Sequence, residues 1–155
     1  MLAVSNSSPL IALSSIERLN LLQALFESVL IPPAVAHEIS RSIPIAPAWL
    51  RMQTLKAVLP TMVLRRTLAD GEREAIALAV ELHADRIILD DLPARKIAQA
   101  IGLNAVGTLG VLLGAKQVGL LSQIRPELDK LVKHSFFLSP QLYQELLRAA
   151  DEASS

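Results

Sequence analysis

The run Ile87-Ile88-Leu89 restricts the fold of this chain more than any other feature. It is short, wholly apolar, and stands between Arg86 and the acidic pair Asp90-Asp91. Such a run suits a strand buried on both faces of a parallel sheet, and parallel strands need crossover connections, usually helices. The flanking sequence supplies them. Upstream, Asp70-Gly71 opens a helical pattern whose apolar face is Ala75, Ile76, Ala79 and Leu82. Downstream, a helix is predicted from Pro93 to Ile101, a strand at Ala105-Val106 and a helix from Thr108 to Val118. Gly107 makes the turn into that last helix and Thr108 caps it.

The opening third repeats the alternation. Leu2 to Ser5 reads as a strand, and Ser7 or Ser8 caps a helix with Pro9 in its first turn. A second helical pattern runs through Leu19, Leu22 and Leu25 to Phe26. Ser28 to Ile31 reads as a strand, and Pro32-Pro33 opens a helix through Val35, Glu38 and Ile39. Pro44, Pro47 and Pro60 break the segment from Arg41 to Leu68, where a short helix near Trp49 and an edge strand from Val58 to Leu64 are expected. Helices at Arg125 to Val132 and Pro140 to Ala150 complete residues 1–150 as one domain, with 151–155 a frayed tail. Strands alternating with helices predict a doubly wound, mostly parallel sheet.

Composition narrows the function classes. A length of 155 residues fits one domain, and 52% apolar residues with few aromatics suit helices packed on a buried sheet. The absence of cysteine removes disulfides and thiolate metal sites and agrees with a cytoplasmic setting. No signal peptide is expected from the N-terminal residues. Ile101 to Leu121 carries a single charge, Lys116, and a Gly110-x-x-x-Gly114 spacing, but Gly102, Asn104, Gly107, Thr108 and Gln117 divide it into strand and helix. No membrane span is expected. Fifteen basic residues balance fifteen acidic ones, so net charge announces no nucleic-acid partner.

Ligands of doubly wound sheets bind beyond the carboxyl ends of the strands. Asn6 follows the first strand, Asp90 and Asp91 follow Ile87-Ile88-Leu89, Glu38 lies on the helix after the second strand, and Glu72 sits in the first turn of the Asp70 helix. Hard oxygen donors at one edge suit Mg²⁺ or Mn²⁺. Each acid also has a plainer role: Glu72 and Glu74 complement a helix dipole, Asp91 pairs with Arg95, and Glu38 is solvated. His37, His83 and His134 lack metal-ligand spacing, and no Gly-x-Ser-x-Gly, Gly-x-Gly-x-x-Gly or phosphate loop is present. Arg51, Arg65, Arg66, Arg95, Lys96 and Lys116 are available for phosphates, while one Trp, one Tyr and three Phe argue against a base-stacking platform.

Taken together, Ser5-Asn6-Ser7-Ser8-Pro9-Leu10-Ile11, the Val29 to Glu38 segment, Gly71-Glu72-x-Glu74-Ala75-Ile76, Asp90-Asp91 and Val106-Gly107-Thr108-Leu109-Gly110 resemble PIN-domain proteins, in a PIN-like branch that is similar to VapC-type toxins. The resemblance spans about Met1 to Leu121. It implies a three-layer α/β/α fold and a Mg²⁺- or Mn²⁺-dependent endoribonuclease, the toxin of a toxin–antitoxin pair. By the same resemblance Glu38, Glu72, Asp90 and Asp91 are catalytic, and Asn6, Glu38, Glu72 and Asp90 hold the metal. Ser8 and Thr108 support them, and Arg65, Arg66 and Arg95 meet the nucleic-acid backbone. The implied partners are single-stranded RNA, a small antitoxin and a second copy of the chain. Asn6 stands where the family has an acid. Two further readings remain: a PIN-like binding or regulatory module with little catalysis, and a domain whose acids are all surface or capping residues.

Overall fold

Five parallel strands form one sheet in the computed structural model, which describes residues 1–56 and 68–153. They are β1 (Leu2–Ser5), β2 (Ser28–Ile31), β3 (Leu50–Met52), β4 (Arg86–Ile88) and β5 (Ala105–Val106), in the order β3-β2-β1-β4-β5. The register is fixed at the centre, where Val4 of β1 lies beside Leu30 on one side and Ile87 on the other. Eight helices occur among the described residues: α1 (Ser7–Ser15), α2 (Leu21–Leu25), α3 (Pro33–Ile39), α4 (Asp70–Glu81), α5 (Leu92–Ala100), α6 (Thr108–Gln117), α7 (Arg125–Lys133) and α8 (Pro140–Ala149).

Because strand side chains alternate between faces, the sheet splits the core in two. Ala3, Val29, Ile31 and Ile88 face Leu10, Leu22, Val35, Leu112, Leu128 and Leu147 from α1, α2, α3, α6, α7 and α8. Val4, Ile87 and Leu89 face Ala75, Ile76 and Ala79 of α4 and Ala94 and Ala98 of α5. Ile87, Ile88 and Leu89 are fully buried, each contributing about 2 kcal/mol of apolar transfer free energy. The result is the expected three-layer α/β/α sandwich.

Two local expectations need correction, and a third is untested. Leu50–Met52 is a strand, not part of a short helix near Trp49: it pairs with β2 through Val29 and Leu50. As an edge strand it exposes Arg51 and Met52, so it has no apolar run for the sequence to announce. The edge strand expected from Val58 to Leu64 lies outside the described residues. The tail is not frayed at Glu152, whose buried carboxylate accepts from the backbone N–H groups of Ile124 (2.7 Å) and Arg125 (3.2 Å) and from Lys116 Nζ (3.0 Å). This also removes Lys116 from the cations free for phosphate.

Six helices end alike. Glu17, His83, Gly102, Gly119, Ser135 and Asp151 have positive φ. Each lies under a six-residue backbone bond, such as Ala84 N–H to Ala79 C=O (2.9 Å) and Phe136 N–H to Leu131 C=O (2.9 Å). These are Schellman closures, which suit glycine best. Among the described residues no helix is long and apolar enough to cross a membrane.

Candidate active site

The sheet order places its switch point between β1 and β4, which lead to strands on opposite sides. Here the register pairs Ser5 with Ile88, and the Asn6 N–H donates to the Ile88 carbonyl (3.0 Å). The two chains then part. Asn6 and Asp90 therefore stand at the crevice where doubly wound sheets bind ligands. Asn6 is only 4% exposed, and although it occupies the N-cap of α1 its side chain caps nothing. Its Oδ1 is buried without a hydrogen-bond partner. An unsatisfied buried acceptor costs about 1–3 kcal/mol, so the arrangement is suited to an outside donor or cation.

Glu38 reaches the crevice from the last turn of α3, a helix started by Pro32-Pro33. The Ser7 hydroxyl donates to Glu38 Oε2 (2.8 Å). The other carboxylate oxygen rests against Gly71 in the first turn of α4, in the space a β-carbon there would need. Two further acids brace α4, the first tying it to α3 and the second closing its own N-terminus. Glu74 accepts from the Ala34 N–H (3.1 Å) in the first turn of α3, and Glu72 reaches back to accept from the Ala69 N–H (3.0 Å) at the N-cap of α4. Glu72 is nonetheless more than a cap. Burial, then the nearby Asp91 and Glu38 carboxylates, push its carboxyl above the usual range.

Asp90 is held from the other side of the crevice. Its Oδ1 accepts from the Thr108 N–H and its Oδ2 from the Thr108 hydroxyl, each at 2.7 Å. Thr108 thus holds Asp90 through both its N–H and its hydroxyl. The expectation that it caps α6 is corrected, because Gly107 is the N-cap and no side chain caps that helix. Nor does Gly107 serve a left-handed turn: its φ is −98°, and a β-carbon there would sit 2.9 Å from Asp90 Oδ1. Asp91 caps α5 through the Ala94 N–H (3.0 Å) in place of the expected ion pair with Arg95. Arg95 instead brings Nη1 close to Gly107, with its Nε buried and unpartnered. Ser8 is exposed and lines a cleft beside Asp90, whereas Ser7 is the hydroxyl that touches an acid. Arg65 and Arg66 lie outside the described residues.

Sequence reasoning therefore missed Ser7, Gly71 and the spatial role of Gly107. Among the described residues no three His, Cys, Asp or Glu side chains gather closely enough to share one ion. The donors at the crevice are all oxygen, an orphaned amide oxygen faces no partner, and burial, with a smaller contribution from neighbouring carboxylates, raises the Glu72 carboxyl. In donor chemistry these residues fit a hard divalent cation.

A parallel sheet in this order, with acids and an amide beyond its central strands, defines a doubly wound α/β domain with an acidic switch-point crevice. The chain belongs to the PIN domain family, whose model matches residues 2–152. This is generally a nuclease fold, typically dependent on a divalent metal. A PilT N-terminus domain protein from the hyperthermophilic archaeon Sulfolobus solfataricus P2 is similar in fold, with a TM-score of 0.56 and 20% identity over 74% of this chain and 93% of that one. No curated protein sequence matches significantly.

Proposed function

We propose that this PIN domain is a Mg²⁺- or Mn²⁺-dependent endoribonuclease acting on single-stranded RNA. The observation that carries the reading is the buried, unpartnered Asn6 Oδ1 at the switch point, with Glu38 held by the hydroxyl of the adjacent Ser7 and Asp90 held by Thr108 beyond the neighbouring strand. A bound divalent cation would supply an acidified water and offset charge building on the phosphate. Glu38, oriented by the Ser7 hydroxyl, and Glu72, oriented by the Ala69 N–H, would hold it with the Asn6 amide oxygen. Asp90, kept in one orientation by Thr108, would accept a proton or align the attacking water. Cleavage of a single-stranded RNA with Mn²⁺ by wild type, Glu38→Gln and Asp90→Asn is the test. Equal residual cleavage by all three would remove these residues from the mechanism.

The toxin role rests on the likeness of the sequence to VapC-type toxins, and with it a small antitoxin partner and a homodimer. Growth arrest on expression of wild type but not of Glu38→Gln, relieved by a small protein encoded alongside, is the expected result. Arrest by both proteins would discard the role.

One observation favours a second reading, a PIN module with weak catalysis. Asn6 is neutral where the resemblance calls for an acid. A unit charge pair 4 Å apart is worth about 4 kcal/mol gross at an effective dielectric of 20, so the loss weakens cation binding. Under this reading Asn6→Asp raises Mn²⁺ affinity and turns on cleavage. Unchanged affinity would show that the missing charge is not limiting.

A further inference from the structure

The crevice does not end at Asp90. A cleft of about 350 Å³ runs from Asp90 past Ser8 and Ser15 to His134, Phe136 and Phe137. Beyond it, Ser15 and His134 also border a second depression carrying Lys130 and Lys133. Acid edge, aromatic and lysines thus lie along one continuous surface. Lys133 makes no ion pair among the described residues, and Lys130 is only loosely paired, 3.9 Å from Glu127.

Phe137 is the unusual member. It is 89% exposed, which for an aromatic side chain forgoes its burial free energy. Its exposure follows from how α7 ends. Ser135 takes a left-handed conformation (φ 68°), and the Phe136 N–H closes on Leu131. The chain then alternates, so Phe136 and Leu138 pack against the core while Phe137 is directed outward. The ring is presented by a fixed helix terminus.

We propose that this cleft is a single-strand nucleic-acid subsite, in which Phe137 stacks one unpaired base and Lys130 and Lys133 meet the flanking phosphates. The inference rests on the nuclease reading for the use made of the bound strand, not for the binding itself. Three observations converge on this occupant. An exposed ring offers a sequence-tolerant stacking face. Adjacent lysines complement a polyanion. The cleft opens onto Asp90, so a strand lying in it would lead a phosphate to the acidic edge. A duplex, whose bases are already stacked on one another, offers Phe137 no free face.

The test is fluorescence polarisation of a short labelled single-stranded RNA, with Ca²⁺ in place of Mn²⁺ and the strand checked for intactness. Wild type should bind single strand in preference to duplex. Phe137→Ala should weaken binding about tenfold, and Phe137→Trp should retain it. Lys133→Ala should reduce the slope of log affinity against log salt by about 0.7. Binding of the single strand unchanged by Phe137→Ala, no binding by wild type, or equal affinity for duplex would each overturn the subsite. Binding without cleavage in Mn²⁺ would sink the nuclease reading alone. Cleavage with a KM indifferent to Phe137→Ala would sink the subsite alone.

Discussion

The Glu38 carboxylate fills the space that a β-carbon on Gly71 would occupy, so an acid on α3 meets the first turn of α4 without an intervening side chain. The contact sets an anionic group against the positive end of a helix, where it is stabilised. Gly71→Ala should therefore displace Glu38 while leaving the fold intact, because the atom in the way is the far end of a flexible side chain. Helix propensity even favours the change, by about 0.5–1 kcal/mol. The expected outcome is Mn²⁺ affinity and cleavage reduced about tenfold or more at an unchanged or raised melting temperature, a loss of one interaction worth about 1.4 kcal/mol. Full affinity in Gly71→Ala would show that Glu38 does not need this position.

Glu72 predicts a pH dependence. Burial, then Asp91 and Glu38, raise its carboxyl above its unfolded value, so the folded chain holds that proton more tightly. The stability it contributes is fully present below the unfolded range and is lost as pH rises through the raised one. Glu72→Gln keeps the reach to the Ala69 N–H and removes the charge. Its melting temperature, relative to wild type, should climb across the carboxylate range and then level off. Added Mn²⁺ should stabilise wild type more than the variant. A difference that is flat with pH would sink the argument.

Thr108 predicts a separation by chemistry. It is fully buried and gives Asp90 both a backbone and a hydroxyl hydrogen bond. Thr108→Val preserves shape but leaves Asp90 Oδ2 without its donor, at an expected cost of about 1–3 kcal/mol in stability. Cleavage should fall with it, and Thr108→Ser should restore most of both. Comparable melting temperatures for Val and Ser variants would mean that the hydroxyl contributes nothing.

A stability prediction comes from the helix ends. His83 is exposed and left-handed (φ 50°) at the close of α4. L-residues pay about 1–2 kcal/mol in that conformation, and the greater freedom of glycine in the unfolded chain offsets part of the gain from removing that strain. His83→Gly should raise stability by about 0.5–1 kcal/mol in urea unfolding, with cleavage unchanged. A lower midpoint would show that the imidazole contributes contacts worth more than the strain.

Much of this was legible in the sequence because it followed from period and position. Ile87-Ile88-Leu89 announced a buried strand, and the acid after it fell at the ligand edge. Leu50 to Met52 gave no such signal, since an edge strand exposing Arg51 and Met52 has neither an apolar run nor clean alternation. Thr108 was read as a helix cap because capping is a local rule, whereas its hydroxyl turns to an acid eighteen residues upstream. Ser7 and Gly71 escaped for the same reason: their partner is Glu38, and only the packing of three helices brings them together. Glu152 is the strongest case. Its tail composition suggested disorder, yet its carboxylate closes the N-terminal turn of α7.

The central place of β1 bears on how the chain reaches this structure. Both of its hydrogen-bonding edges are completed by strands that come later, β2 on one side and β4 on the other, the second only after α3, β3 and α4. Closing the parallel pair β1–β4 therefore links distant segments, which slows folding and leaves a bare apolar strand edge in the meantime. The same late pairing brings Asn6 beside Asp90. Until that step is complete the crevice does not exist, so the chain cannot acquire its chemistry before its folding is nearly finished.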